Sequence, residues 1–211
     1  MTATKDARRS TKGQARREQI LEKAAREFAA RGYHATTIAH ILDGLGIARG
    51  TFYLYFENKR TIFDELVQSL MERIAGAIRV IDLHDAVRRP HEQLHDNLVR
   101  VFTILLENRG AAKILIEGGG GADPEFEKKI DEFYAHARFL LKRSLEHGRR
   151  IGLLRPIDTG FFADCALGAV REVVRHALSK PPGEIDVARL AAQLIDYHTH
   201  GVFAEKPAPT A

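Results

Sequence analysis

TTIAHILDGLGIARGTFYLYFENKRTIF, residues 36–63, is the most informative segment of the chain. Its first apolar residues are spaced i, i+3, i+4 and i+7, as on one face of a short amphipathic helix: Ile38, Ile41, Leu42 and Leu45. Thr36 and Thr37 stand just before them, where a hydroxyl can accept a hydrogen bond from the first turn of a helix. The segment therefore begins with a capped helix.

A glycine turn separates this helix from a second one. Gly46 can take the positive φ that a tight helix–helix turn requires. A second helix is expected from about Ala48 to Tyr55, and Asn58 is placed to cap a third that begins near Lys59. Two helices joined by a short turn form a helix-turn-helix, whose second helix enters the major groove of DNA.

The second helix combines an anchoring side with a polar side. Phe52 and Phe56 are spaced i, i+4 and can hold the helix on a core. Gly50 costs a helix roughly 1 kcal/mol relative to alanine, and close approach of the backbone to a phosphate would explain it. We expect Thr37 and Lys59 to contact phosphates. The full set expected to contact DNA is Thr37, Arg49, Gly50, Thr51, Tyr53, Tyr55 and Lys59.

The segment GIARGTFYLYFENKRTIF resembles the signature of the TetR family of transcriptional repressors, in which Gly-Thr-aromatic-Tyr-x-Tyr-Phe is followed by Lys and a hydrophobic pair. The resemblance covers about residues 15–66 closely, and beyond them it extends to length and helical layout. Two positions depart from the family pattern. Ala48 stands where the family often has a serine that caps the recognition helix, and Leu42 stands where a small residue usually lets the helices pack closely.

This resemblance implies an all-α protein of about nine helices. An N-terminal helix-turn-helix domain of three helices would bind DNA, and a C-terminal helical domain would bind ligand and dimerise. We expect residues 1–60 to form a basic arm and the DNA-binding domain, residues 61–205 to form the second domain, and residues 206–211 to be a disordered tail. The fourth helix would transmit ligand binding to the DNA-reading surface.

The first helix is expected from about Gly13 to Arg31, with Arg16 and Arg17 near phosphates. The preceding arm carries Lys5, Arg8 and Arg9, and it either reaches along the minor groove or is a plain flexible tail. Further helices are expected at about 58–81, 90–108, 111–117, 124–151, 159–178 and 185–201.

Four consecutive glycines at 118–121 interrupt the helical pattern. A plain flexible connection is the favoured interpretation, and a hinge beside a ligand cavity is the alternative. Asp123 and Pro124 after them suit the cap and first position of the next helix.

Charge is concentrated in the segment that contains the helix-turn-helix. The chain of 211 residues carries a net charge of +4. Residues 1–60 hold 12 Lys and Arg against 6 Asp and Glu, whereas the rest of the chain holds 20 against 22. A basic N-terminal region is the surface expected to displace counterions from DNA.

Composition indicates a globular protein that stays in a reducing compartment. A single cysteine, Cys165, excludes an internal disulfide, and it is expected to be buried and inert. The basic N-terminus is not followed by an apolar run, and no segment reaches the ~20 apolar residues of a membrane span. We therefore expect a soluble cytoplasmic protein without contact to membranes.

In the TetR family, small molecules bind among helices four to seven and the last two helices form the dimer interface. By analogy, the candidate pocket residues are Phe102, Leu105, Leu106, Phe133, Tyr134, Ala137 and Leu141, with Tyr134, His136 and Arg138 as polar groups that orient the ligand. The candidate interface residues are Phe162, Ala166, Ala169, Val170, Val173, Leu190, Leu194 and His198. The apolar lining suggests an acyl chain or an aromatic effector.

No other chemistry is indicated. His91 and His95 share a helical face but lack a fixed third ligand, so surface histidines are favoured over a metal site. The chain has no nucleophile elbow and no nucleotide loop, so no enzyme activity and no cofactor are expected.

The sequence thus predicts a homodimeric repressor that binds a palindromic DNA operator and is released by a small effector. Two alternatives stay open. One is a DNA-binding regulator without a small ligand, and the other is an all-α ligand carrier or enzyme.

Overall fold

The structure is a computed structural model that describes residues 3–117 and 124–201, with side chains described for 12–116 and 124–201. This part of the chain is helical and contains no strand. Its helices are α1 (Ala3–Arg31), α2 (Ile38–Leu42), α3 (Arg49–Phe52), α4 (Lys59–Ala77), α5 (Pro90–Glu107), α6 (Arg109–Glu117), α7 (Pro124–Arg150), α8 (Thr159–Leu178) and α9 (Val187–His200). The all-α prediction is confirmed.

Helix α1 begins about ten residues earlier than expected. The predicted start near Gly13 is therefore wrong, and the segment with Lys5, Arg8 and Arg9 lies within the helix; its reach along the minor groove stays a prediction. The segment lacks proline, and a helix anchored by its buried face extends easily into residues of moderate propensity. The predicted C-terminal end is confirmed, since Gly32 follows it with φ +79°.

Helix α4 ends at Ala77 rather than near residue 81. Beyond it, the side-chain amide of Asn97 accepts from the Arg79 amide at 2.9 Å and donates to the Arg79 carbonyl at 2.7 Å. The amide of Gln93 pairs in the same way with both backbone groups of Asp82, at 2.8 and 2.7 Å. These α5 side chains replace the helical hydrogen bonds, which is why the helix stops.

The last helices agree more closely with the sequence. Helix α8 spans the predicted range, and its cap Asp158 accepts from the amides of Gly160 and Phe161 at 2.9 and 3.1 Å. Helix α9 begins two residues later than expected because Asp186 caps it, accepting from the Arg189 amide at 2.9 Å. The predictions for the glycines 118–121, for the Asp123 cap and for the tail 206–211 fall outside the described residues.

The chain divides into two compact units. The first contains Met1–Arg73 and Glu107–Phe133, and the second contains Ile74–Leu106 and Tyr134–Ala211. The domain boundary expected at residue 60 stays a prediction. Helices α4 and α7 each begin in the first unit and end in the second.

In the first unit, α6 packs on α1 at very short range. A Cβ built on Gly110 would lie 2.2 Å from the carbonyl oxygen of Ala25, so only glycine permits this approach. Lys113 donates to the carbonyl of Ala29 at 3.1 Å. Together with the buried apolar face of α6, these contacts join residues of the chain centre to the N-terminal helix.

An aromatic cluster completes the core of the first unit. Phe126 is fully buried, and its ring stacks on Tyr33 at 4.2 Å with an interplanar angle of 17°. Phe63 lies 4.6 Å from Phe126, and Phe28 lies 5.4 Å from Tyr33. Residues from α1, α4, α7 and the α1–α2 connection therefore share one core.

Three further observations concern features considered above. Cys165 is exposed, so its expected burial is wrong, although the neighbouring Phe162, Ala166 and Leu167 are partly buried. Within the described ranges, no three His, Cys, Asp or Glu residues are grouped as a metal site would need. Over the same ranges, no helix is both long and apolar enough to cross a membrane.

Candidate nucleic-acid interface

Helix α2 starts with a reciprocal cap. The His40 amide donates to the Thr37 hydroxyl oxygen at 3.3 Å, and the Thr37 amide donates to the His40 ring nitrogen Nδ1 at 3.3 Å. Thr36 is buried instead, and its hydroxyl donates to the carbonyl of Gly32 at 2.8 Å. The turn that follows uses positive φ at Gly44 and Gly46, +76° and +62°. The predicted cap and glycine turn are confirmed.

Helix α3 is a single helical turn and is therefore shorter than predicted. Non-helical turn structure follows it to residue 55. Its N-cap, Ala48, has the extended φ and ψ of a cap residue but makes no side-chain hydrogen bond. Because a missing cap costs about 1 kcal/mol, this helix depends on its anchors. Phe52 and Phe56, 0% and 1% exposed, are the anchors that the sequence predicts.

Arg17 contacts the anchor Phe56 and serves the fold rather than a phosphate contact. Its guanidinium lies 4.6 Å from the centre of the Phe56 ring and forms a two-pronged ion pair with Glu65 of α4. The hydrogen bonds with Glu65 raise the pKa of Arg17 above its ordinary value. The expected contact between Arg17 and phosphate is therefore replaced by a structural role that ties α1 to α4.

The face of α3 opposite its anchors is open to solvent. Arg49 and Gly50 are exposed, Thr51 and Tyr55 are partly exposed, and Tyr53 is 48% exposed. The four residues assigned to a DNA groove are therefore all at least partly accessible to solvent. We call residues 49–55 the reading segment.

Leu54 was not among the residues expected to contact DNA. It is 81% exposed, although leucine is usually buried in a folded core. The available signal was its position between Phe52 and Phe56, which places it outside their i, i+4 anchoring row. An exposed leucine in the reading segment can contact a thymine methyl group or a sugar.

Lys59 occupies a position different from the one expected. Its ammonium donates to three carbonyl oxygens in and beside the α1–α2 connection, those of Tyr33, His34 and Thr36, at 2.8, 3.1 and 3.0 Å. It also lies 4.5 Å from the centre of the Tyr33 ring. All three of its protons are thereby engaged, so Lys59 serves the fold here, and its phosphate contact stays a prediction.

No packing contact among the described residues requires a glycine at position 50. It is helical, and a Cβ built on it would meet no heavy atom within 4 Å. Asn58, in contrast, acts as the sequence predicts, since its side-chain oxygen accepts from the Thr61 amide at 3.0 Å and caps α4. The local geometry is that of a helix-turn-helix whose second helix is anchored on one side and open on the other.

A family model described as bacterial regulatory proteins of the tetR family matches residues 20–66, the segment that forms this interface. The repressor KstR2 of Mycobacterium tuberculosis is 39% identical over 144 residues, which are 67% of this chain and 70% of that protein. The chain belongs to the TetR family. The regulator TtgR of Pseudomonas putida is 34% identical over 195 residues, 90% of this chain and 80% of that protein.

A solved structure also matches the fold over most of the chain. The structure of the regulator FadR from Bacillus subtilis in complex with stearoyl-CoA superposes with a TM-score of 0.71 and 22% identity, covering 88% of this chain and 99% of that one. As a member of this family, the protein is a helix-turn-helix transcriptional regulator. The resemblance seen in the sequence is confirmed.

The residues expected to line an effector pocket differ in burial. Phe102 and Leu105 are buried, and the other five are partly buried: Leu106, Phe133, Tyr134, Ala137 and Leu141. A cleft of about 210 Å³ lies elsewhere, at the end of α1, and none of the seven residues lines it. Their role in ligand binding stays a prediction.

Of the polar groups near the expected pocket, two are engaged within the second unit. The Arg171 guanidinium lies 5.2 Å from the centre of the Tyr134 ring, and burial raises the pKa of the Tyr134 hydroxyl. Arg138 forms a two-pronged ion pair with Asp164 of α8, one arm measuring 2.9 Å. The partner of Arg138 holds it against α8, and His136 is exposed.

The residues expected at a dimer interface are mostly covered by their own chain. Leu194 is buried, His198 is exposed, and the remaining six are partly buried: Phe162, Ala166, Ala169, Val170, Val173 and Leu190. The exposed row of α8 is shifted by about one residue from the predicted one. It contains Phe161, 61% exposed, Cys165 and Gly168. On α9, Tyr197 is 54% exposed.

Proposed function

We propose that the protein is a repressor that binds a palindromic operator as a homodimer and is released by a small apolar effector. The observation that carries the proposal is the reading segment, in which Tyr53 and Leu54 are exposed directly after the single turn of α3, beside the buried Phe52 and Phe56. Large side chains held rigidly on an exposed helix are what direct readout in the major groove requires.

We assign base contacts to Arg49, Thr51, Tyr53 and Tyr55, and add Leu54 to them on the basis of its exposure. We assign a close phosphate approach to the backbone at Gly50. The open space around this glycine supports the assignment, because no packing contact with the described part of the chain requires it. Thr37, exposed at the start of α2, is assigned to a phosphate.

The homodimer is proposed from the geometry of recognition. One helix-turn-helix contacts too few base pairs to be selective, whereas a twofold dimer places two recognition helices about 34–36 Å apart on one face of the duplex. The exposed apolar row of α8 supports this assignment, because such an interface would remove the Phe161 side chain from water.

The apolar effector is proposed from the second unit and from a neighbour. Phe102 and Leu105 give it buried apolar side chains, and the similar FadR structure holds stearoyl-CoA. We infer that an acyl chain, free or as a thioester, is the class to test first. To act as an inducer it must bind the conformation without DNA better than the other, and a preference of about 1–3 kcal/mol is sufficient.

The test is fluorescence anisotropy with DNA from upstream of the protein's own gene, with a scrambled duplex beside it, at about 0.15 M salt. We expect the native fragment to bind about 10³-fold tighter than the scramble. Tyr53→Ala should lose at least about tenfold of that margin with unchanged thermal stability, because Tyr53 is half exposed. Equal binding of both duplexes at every salt concentration would contradict sequence-specific recognition of this fragment.

Stearoyl-CoA and free stearate are then titrated into the complex, with octyl glucoside as a detergent control. Release by one acyl compound at concentrations that leave the scrambled complex unchanged supports the effector proposal. If neither compound releases DNA although the operator is bound specifically, the alternative of a regulator without an acyl effector is favoured.

A further inference from the structure

Tyr33 lies where three elements of the first unit meet. Its ring, 4% exposed, stacks on Phe126 of α7, and its carbonyl accepts from Lys59, the first residue of α4, at 2.8 Å. The same ammonium bonds to the carbonyl of Thr36, one residue before the cap of α2. Phe126 is therefore linked, through Tyr33 and the Lys59 ammonium, to the residues that begin α2 and α4.

The first two turns of α7 also complement the first two turns of α4 in charge. Arg60 of α4 pairs with Glu125 of α7. One turn later on each helix, Asp64 lies near Lys129, whose charge lowers the pKa of the carboxyl although burial raises it overall. The order is basic then acidic on α4 and acidic then basic on α7. This order favours one register and one direction, because a slipped or reversed arrangement would bring like charges together.

We propose that the first two turns of α7 are a positioning element for the reading segment. The aromatic stack on Tyr33 and the pair between Arg60 and Glu125 hold the start of α4. Asn58, the residue just before α4, follows Phe56 by two positions, and Phe56 is one of the two anchors of α3. Through this contact, α7 sets the operator affinity of the DNA-binding unit.

Chain continuity makes this contact a second route to the DNA-binding unit, beside α4. Helix α7 is uninterrupted from Pro124 to Arg150; its residues up to Phe133 belong to the first unit and the following ones to the second. That an effector shifts or rotates α7 rests on the proposed function. Such a movement would reach Tyr33 and Arg60 without passing through α4. Two discrete arrangements of such a contact are a physical basis for coupling.

The decisive variant is Glu125→Arg in the full chain. Since it adds positive charge to a DNA-binding protein, general electrostatics predicts tighter binding to any duplex. Our proposal predicts the opposite for the specific complex. The ratio of operator to scrambled affinity should fall about threefold to fivefold, the size expected when a partly exposed ion pair is lost.

Two further variants make the result specific to the pair. Arg60→Glu combined with Glu125→Arg restores opposite charges at the same two positions and keeps the wild-type net charge, so it should bring the affinity ratio back to within about twofold of wild type. Asp131→Arg is the matched control, because Asp131 is exposed on the same helix. This substitution changes the charge by the same amount, away from the pair with Arg60. It should leave the ratio unchanged.

Amide hydrogen exchange without DNA is the second readout. Peptides that cover residues 47–56 should exchange faster in Glu125→Arg than in wild type, while the combined variant and Asp131→Arg should exchange as wild type does. This readout tests positioning even if the chosen fragment is not the operator. Equal exchange in Glu125→Arg and Asp131→Arg, or no recovery in the combined variant, would overturn the proposal; a wild type that fails to discriminate the duplexes would count only against the proposed operator.

Discussion

Gly50 is a residue at which folding and DNA binding make opposite demands. It lies in a helical turn, where glycine is less favourable than alanine, and a Cβ there would meet no atom of the described residues within 4 Å. Gly50→Ala should therefore raise the free energy of unfolding by about 0.5–1 kcal/mol. If the backbone approaches a phosphate, the same methyl group should weaken operator binding by about tenfold, ~1.4 kcal/mol. Urea unfolding and anisotropy measure the two effects.

Gly76 supplies the matched control for this prediction. It is also helical and exposed, and a Cβ on it would also meet no atom within 4 Å. Gly76→Ala should stabilise the fold in the same way and leave operator affinity unchanged. Unchanged operator affinity in Gly50→Ala would remove the reason for placing a phosphate at that glycine.

Asp64 is a residue whose charge opposes folding. Its Oδ1 is buried and has no hydrogen-bond partner among the described residues, and burial raises the pKa of this carboxyl above its ordinary 3.8, against the lowering charges of Lys129 and Arg60. A raised folded pKa means that the folded state binds the proton more tightly than the unfolded chain, so the penalty exists at neutral pH and disappears as pH falls below 3.8.

Asp64→Asn should therefore be more stable than wild type at pH 7, and the difference should shrink as the pH falls through the folded pKa of Asp64. Thermal unfolding at a series of pH values measures this trend. Asp131→Asn, at an exposed position, should show no comparable trend. Equal stability of Asp64→Asn and wild type at every pH would show that relaxation or water already satisfies the carboxylate.

At the scale of elements, the helices that the sequence placed well are those with local signals at both ends. Helix α8 is bounded by Asp158 and by the prolines after residue 180, and its predicted range is confirmed. The end of α4 was misplaced because the groups that terminate it, Asn97 and Gln93, lie about one helix further along the chain. A side-chain amide that replaces a helical hydrogen bond leaves no mark in the local pattern.

The same distinction applies to the interface. Phe52 and Phe56 were predictable as anchors from their spacing alone, and their burial confirms it. The acceptors of Lys59 are carbonyls 23 to 26 residues earlier in the chain, so its role depends on tertiary structure. The exposure of Leu54, by contrast, follows from the spacing of the two anchors, because Leu54 lies between them and outside their i, i+4 row.

The contact of α6 with α1 is testable at Gly110. A Cβ there would lie 2.2 Å from the carbonyl oxygen of Ala25 and 2.8 Å from its carbon, so the clash is with backbone and no side-chain rotation relieves it. Gly110→Ala should lower the free energy of unfolding by about 1–3 kcal/mol, as overpacking does. Urea unfolding measures it beside Gly13→Ala, in which the new methyl group meets no atom. A neutral or stabilising effect of Gly110→Ala would contradict the close packing of the two helices.

At the scale of the whole molecule, the proposed dimer requires an interface, and one exposed row of α8 is available to form it. Phe161, Cys165 and Gly168 are spaced by about one turn and are all exposed in the single chain. The row predicted from the sequence, near Phe162 and Ala166, is partly covered by the chain itself. Both faces of α8 carry small and apolar residues, so periodicity could not decide which face is open. The open row is the one we assign to the twofold interface.

Gly168→Glu tests this assignment. Within the described ranges, a Cβ at Gly168 would meet no atom within 4 Å, so the variant should fold and retain the helix content of wild type. Across a twofold axis, however, it would place two carboxylates in an apolar contact, and burying unpaired charge is costly. Sedimentation velocity should show a dimer for wild type and a monomer for the variant, and operator affinity should fall by at least about 10³-fold because one half-site alone is selective for too few base pairs. Gly76→Glu is the control, since its Cβ also has open space, and it should remain dimeric. A dimeric Gly168→Glu that binds the operator as wild type does would place the interface on another surface.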